Sequence, residues 1–135
     1  MRADEDGEAA LAAARAALGT RFRLHGRDCA TGLDCVGLAA LAMRAEGHGG
    51  PVPSGYAMRS ADAARVVALL DSSGLVRAAD ARRGDLLLCR MGPGQLHLAI
   101  QDADGVIHAD AMLRRVVARP GPVPWPVIGA WRVRG

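Results

Sequence analysis

Lysine is absent from this chain, and all 17 basic residues are arginines. Rings are almost as scarce: Phe22, Tyr56, Trp125 and Trp131 are the only aromatic residues besides histidine. So few rings leave no stacking platform for single-stranded nucleic acid, and no nucleic-acid partner is expected. There is no run of about 18 apolar residues, so no membrane span is expected. The amino end lacks a positive segment followed by an apolar core. No secretory signal peptide is therefore read there, and synthesis in the cytoplasm is expected. Cys29, Cys35 and Cys89 are odd in number and make no disulfide framework. Their spacing includes no C-x-x-C pair, so neither a metal site nor a cofactor is expected. His25, Cys29 and Cys35 with His97 or Cys89 would be the only zinc set to consider, and Cys29 the only redox partner for Cys35.

What the chain does have is apolar mass. Half of its 135 residues are hydrophobic, mainly Ala, Leu and Val. That length suits one domain over residues 1–135, able to bury a core without staples. The arginine and alanine bias reads as GC-rich bacterial coding and carries no function. The formal net charge of +3 hides an asymmetry: Asp4, Glu5, Asp6 and Glu8 crowd the amino end, while residues 9–135 hold 16 Arg against 10 acids. A modestly positive body suits an anionic partner such as a nucleic acid or an anionic wall polymer, with no basic run dense enough to choose between them, or a plain solvated surface.

Residues 4–18 read as a helix, with acids in the first turn, an apolar stripe of Leu11, Ala14 and Leu18, and Gly19 as the stop. Residues 19–34 lack any sustained period and read as a long loop. Residues 35–46 read as a helix apolar almost all round, hence buried. Residues 60–70 form a third helix, with Ser60 as its N-cap. After Gly84 come short runs at 85–90, 97–102, 105–109, 114–118 and 127–133, with turns at 91–94 and 102–105. Helices followed by a meander of strands is the α+β pattern.

Cys35 opens the buried helix, where the positive end of the macrodipole favours a thiolate and is expected to lower the thiol pKa. A catalytic cysteine also needs a base and a group that orients the base. His97 and His108 lie on successive strands, and a hairpin around residues 102–105 makes them close cross-strand neighbours. Without further support, inert core cysteines and packed histidines remain an alternative account of all three.

The segment Leu18-Gly-Thr-Arg-Phe-Arg-Leu-His-Gly, followed by Gly32-Leu-Asp-Cys-Val-Gly-Leu38, resembles the opening of the NlpC-type cell-wall peptidases. Gly84-Asp85-Leu86-Leu87, Leu96-His97-Leu98-Ala99-Ile100 and Gly105-Val106-Ile107-His108-Ala109 resemble their later strands, in the same order. The resemblance runs from about residue 10 to the end. It implies a papain-like α+β fold, with the nucleophile at the start of a buried helix packed on an antiparallel sheet. It also implies a thiol peptidase with Cys35 as nucleophile, His97 as base and His108 as orienter. The bond cleaved would lie in peptidoglycan stem peptides, usually between γ-D-glutamate and the diamino acid. Asp34 would lie near the amino end of the bound peptide, or cap the helix, or both.

Phe22 stands at a substrate-binding position where the family has a tyrosine, whose hydroxyl lies by the nucleophile and can help the oxyanion, and Val36 stands where it has a serine. An apolar residue after the nucleophile and a long loop before it are similar to the phage-tail and gene-transfer-agent branch. That branch implies delivery to the wall by a phage-like particle and contacts with its proteins. Two alternatives share the fold: a non-catalytic wall-binding or particle-structural module, and an amidase or acyltransferase. His25 and His48 have no assigned role.

Overall fold

The structure is a computed structural model that describes residues 7–59 and 62–133, apart from the side chain of Tyr56. The chain begins with α1 (Glu8–Ala16), followed by the short strands β1 (Arg27–Asp28) and β2 (Gly32–Leu33). Three helices come next: α2 (Cys35–Ala45), α3 (Gly55–Arg59) and α4 (Ala63–Asp71). The rest is strand: β3 (Val76–Ala78), β4 (Leu86–Gly92), β5 (Gln95–Asp102), β6 (Gly105–Asp110), β7 (Arg115–Pro120) and β8 (Val127–Arg132). Strands β3 to β8 form one antiparallel sheet in the order β3-β8-β4-β5-β6-β7. This is the α+β arrangement expected from the order of helical and extended runs.

The sheet explains why β4 reads as an unbroken apolar run. Leu86 and Leu88 join Leu96, Leu98, Ile100, Ile107 and Trp131 in the main core with the helices. Leu87 and Cys89 pack on the other face with Ala99, Val106 and Ala130, beneath Val123 and Trp125. A strand covered on both faces loses its polar alternation. Helix α2 is buried from Val36 to Ala40 and again at Ala42 and Met43, as its composition requires.

Several expectations need correction. Asp4, Glu5 and Asp6 lie outside the described residues, and α1 buries Ala10, Leu11 and Ala14 while Leu18, past its end, is exposed. The loop 19–34 contains the β1–β2 hairpin, whose two-residue strands are too short to show a period. The third helix is α4, which begins at Ala63 and ends at Asp71, and the short α3 before it was not part of the reading. Ser60 lies outside the described residues, and the N-cap of α4 is Asp62, whose side chain accepts from the Arg65 N–H at 3.0 Å. Strand β3, which pairs with β8 at the sheet edge, has only three residues and was not visible in the pattern.

Candidate active site

Asp34 sets up the amino end of α2. It is the N-cap, its Oδ1 accepting from the Gly37 N–H at 2.8 Å. The same oxygen accepts from Arg27 Nη1 at 2.8 Å, and Oδ2 accepts from the His25 N–H at 2.8 Å. A carboxylate only 4% exposed is thus supplied with three donors, as a buried charge requires. These bonds draw the loop tightly over the first turn of α2. At Gly37 any Cβ would strike the Gly26 carbonyl oxygen, so only glycine allows this approach. His25 keeps a left-handed backbone, with φ 63°, while its N–H is held by Asp34.

Cys35 is the first residue of α2 and is only partly exposed. The backbone N–H groups of Leu98 and Val36 favour the charged form of its sulfur. It shares a pocket of roughly 170 Å³ with Phe22, Leu24, Met58, His97 and Met112. Asp34, Gln95 and Asp110 also line this space.

The β5–β6 hairpin brings the two histidines together. Its ladder runs from Asp102–Gly105 to Ile100–Ile107 and stops there. Counting on in that register sets His97 across from Asp110. His108, two residues earlier on β6, shares that face and lies diagonally from His97. The side chains meet: His97 Nε2 and His108 Nδ1 are 3.0 Å apart and share one hydrogen bond. Both rings are buried. Trp125 closes over the pair edge-on, its ring 5.0 Å from His97 and 4.9 Å from His108. No sequence signal points to this role for Trp125, which stands between two prolines in an otherwise irregular approach to β8. Arg27 and Asp110 were missed as well: spacing holds no signal for Arg27, whereas the β5–β6 register that joins the two histidines also sets Asp110 beside them.

The other singled-out residues lie apart from one another. Cys29 is exposed near the β1–β2 hairpin, and Cys89 is fully buried on β4, opposite His97 in the ladder. His48 is buried, with Nε2 at 3.3 Å from the Pro51 carbonyl oxygen. Among the described residues no three His, Cys, Asp or Glu side chains converge as a ligand set. No helix among them is long and apolar enough to cross a membrane.

The electrostatics correct one expectation. The helix terminus was expected to acidify Cys35, but burial dominates and pushes the thiol up to about 11, assisted by the negative charge of Asp34. The N–H groups of Leu98 and Val36 and the charge of Arg27 oppose that rise without cancelling it. Burial alone takes Cys89 further, to about 12. Burial also lowers His97 to about 3, with His108 adding to the effect and Asp110 opposing it. At neutral pH the resting pair is therefore thiol and neutral imidazole. Iodoacetamide labelling of Cys35, followed by peptide mass mapping in a Cys29→Ser background, should rise about tenfold per pH unit from pH 6 to 9. Cys89 should stay unlabelled while the protein is folded. A rate flat across that range would instead show a resting thiolate–imidazolium pair.

No family model and no curated protein matches the chain. Solved structures do. NlpC1 from Trichomonas vaginalis superposes with a TM-score of 0.68 at 24% identity, over 94% of this chain and 44% of that one. The chain thus spans less than half the length of that protein. The NlpC/p60 domain of the peptidoglycan hydrolase SagA gives 0.60 at 26% identity, covering 85% of this chain and 89% of that one. The peptidoglycan hydrolase RipB from Mycobacterium tuberculosis gives 0.61 at 21% identity, over 98% and 68%. The mixed helical and antiparallel fold of this chain is the papain-like fold of the NlpC/p60 domains of peptidoglycan hydrolases.

Proposed function

We propose that this chain is a cysteine peptidase that hydrolyses an amide bond in peptidoglycan stem peptides, the γ-D-glutamyl to diamino-acid bond being the first candidate. The observation that carries the reading is the 3.0 Å bond between His97 and His108, set beside a pocket floored by a helix-opening Cys35. In this reading the bond takes up His97 Nε2 and leaves Nδ1 for the pocket it shares with Cys35. The proton of the Cys35 thiol passes to His97 Nδ1 as the sulfur attacks the carbonyl carbon. The amide C–N bond then breaks, and His97 returns the proton to the leaving amine. Water, deprotonated by His97, cleaves the thioester and releases the acid and the free thiol.

The pair is neutral at rest, so the base acts during attack rather than before it. Trp125 limits the water around the two imidazoles, and the low dielectric there strengthens each hydrogen bond. Phe22 lines the pocket without a hydroxyl. The oxyanion would then be met by backbone donors, such as the Cys35 N–H in the first turn of α2, which has no helical carbonyl to bond. Asp34 and Phe22 border the space where the peptide would lie. The place of action in this reading is the cell wall.

Purified muropeptides incubated with the protein and weighed by mass spectrometry test the reading. The expected products are two fragments that together exceed the substrate mass by one water, and none with Cys35→Ala. Intact muropeptides with the parent protein, under conditions where it is folded, would overturn it.

A further inference from the structure

His108 has a second ring nitrogen that the site described above leaves unexplained. Its Nε2 is buried and has no hydrogen-bond partner among the described residues. The carboxylate of Asp110 lies close to it, with Oδ2 3.9 Å away. That is too long for a hydrogen bond but short for an electrostatic contact inside protein. Asp110 is two residues further along β6 and therefore on the same face. Its other oxygen is already committed: Oδ1 accepts from the Met112 N–H at 2.8 Å and the Leu113 N–H at 3.0 Å, in the turn after β6. Arg119 on β7 is the remaining charge that bears on His108.

We infer that Asp110 is a positioning residue that sets the tautomer of both imidazoles, so that His97 presents a lone pair rather than a proton to Cys35. One proton lies between His97 Nε2 and His108 Nδ1. If it belongs to His97, then His108 Nδ1 is the acceptor and His108 Nε2 carries the proton that faces Asp110. His97 Nδ1 is then bare and can act as a base. If the proton belongs to His108, its Nε2 lone pair faces a carboxylate, which is repulsive, and His97 Nδ1 carries a proton and cannot accept one. The charge of Asp110 selects the first arrangement through two rings. This rests on the proposed hydrolase reading for its catalytic consequence, but not for the tautomers themselves.

The test uses Asp110→Asn and Asp110→Ala in the full chain. In Asp110→Asn the two turn N–H groups hold the new amide oxygen where Oδ1 now lies, so the amide NH₂ faces His108 Nε2 and demands an acceptor there. The asparagine should therefore invert both tautomers. Nitrogen-15 NMR of labelled histidine should show Nε2–H on both rings in the parent and Nδ1–H on both in Asp110→Asn. Turnover of muropeptides should fall about a hundredfold or more in Asp110→Asn, as a wrong-tautomer change does in a serine-protease triad. Asp110→Ala should lose less turnover while melting lower, because it loses the turn bonds but imposes no tautomer. A residue that only held the turn would give the reverse order, with asparagine the milder change in both readouts. That order, or Nε2–H tautomers retained in Asp110→Asn, would overturn the inference. If the parent cleaves no muropeptide, the hydrolase reading fails, and the NMR result still decides the role of Asp110.

Discussion

Replacing His97 by alanine should lower turnover of muropeptides by about 10⁴–10⁶-fold, the range seen when the base of a nucleophile–base pair is removed. His108→Asn should stay within about tenfold of the parent, and His108→Ala should fall between the two. The order follows from the geometry. Among the described residues, His97 is the one ring that both lines the Cys35 pocket and bonds to His108. His108 contributes an acceptor to His97 Nε2, and an asparagine side chain can offer a carbonyl oxygen from a similar place. Alanine offers nothing and leaves the Nε2–H of His97 buried without a partner, at a cost of about 1–3 kcal/mol. If the histidines were only packed core, turnover would follow melting temperature, and His108→Ala would rank with His97→Ala. Measuring both quantities on the three variants separates the accounts, and a His97→Ala protein as active as its parent sinks the mechanism.

The same variants carry a pH signature. Burial keeps His97 neutral in the folded chain down to about pH 3, whereas the unfolded chain takes up a proton below about 6.5. Between those values the unfolded state binds more protons, so stability is lost as pH falls. From pH 7 to pH 5 this one group should cost about 2 kcal/mol. His108 is shifted in the same direction by burial and adds to the loss. Denaturant unfolding at the two pH values should therefore show a smaller acid loss for His97→Ala than for the parent. An equal loss would mean that His97 is not held neutral by its surroundings.

The parts that were legible in the sequence are those where one local signal sufficed. Helix α2 announces itself because Val36 to Met43 is apolar on every side, and burial on every side is what the fold provides. Strands β4 to β8 are bounded by turn residues. The β5–β6 hairpin, once recognised, places positions 97 and 108 on one face by counting alone. Strands β1, β2 and β3 have two or three residues, fewer than any period needs. Trp125 and Asp110 reach the histidines from the approach to β8 and the far end of β6. The position of Trp125 depends on how irregular chain folds back over the sheet, which no spacing encodes, whereas Asp110 follows from the same hairpin register as His108. The thiol of Cys35 illustrates a sharper limit. Its place at a helix terminus is local and was readable, but the burial that outweighs the helix terminus comes from β5 and the pocket walls.

Asp85→Ala should destabilise the protein by about 3–5 kcal/mol, the cost of breaking a buried ion pair from one side. Asp85 sits just before β4 and is 2% exposed. Its Oδ1 accepts from Arg132 Nε at 3.0 Å and its Oδ2 from Arg132 Nη2 at 2.6 Å, a two-pronged contact that ties the start of β4 to the end of β8. Oδ2 also accepts from the Arg82 N–H at 2.8 Å, which shapes the turn into the strand. Alanine removes all three bonds and takes the carboxylate away from a guanidinium with only 15% of its side-chain surface in water. For a chain of this length the loss should appear as a fall in melting temperature of roughly 10–20 °C. The double variant Asp85→Leu, Arg132→Met tests the cause, because it removes both buried charges together. It should recover much of the stability lost in Asp85→Ala, short of about 1 kcal/mol for the Arg82 N–H left without its acceptor. A double variant no better than Asp85→Ala would show that the geometry at the start of β4, rather than the buried charge, depends on this carboxylate. Neither change touches the Cys35 pocket, so turnover per folded molecule should match the parent at temperatures where each variant is folded.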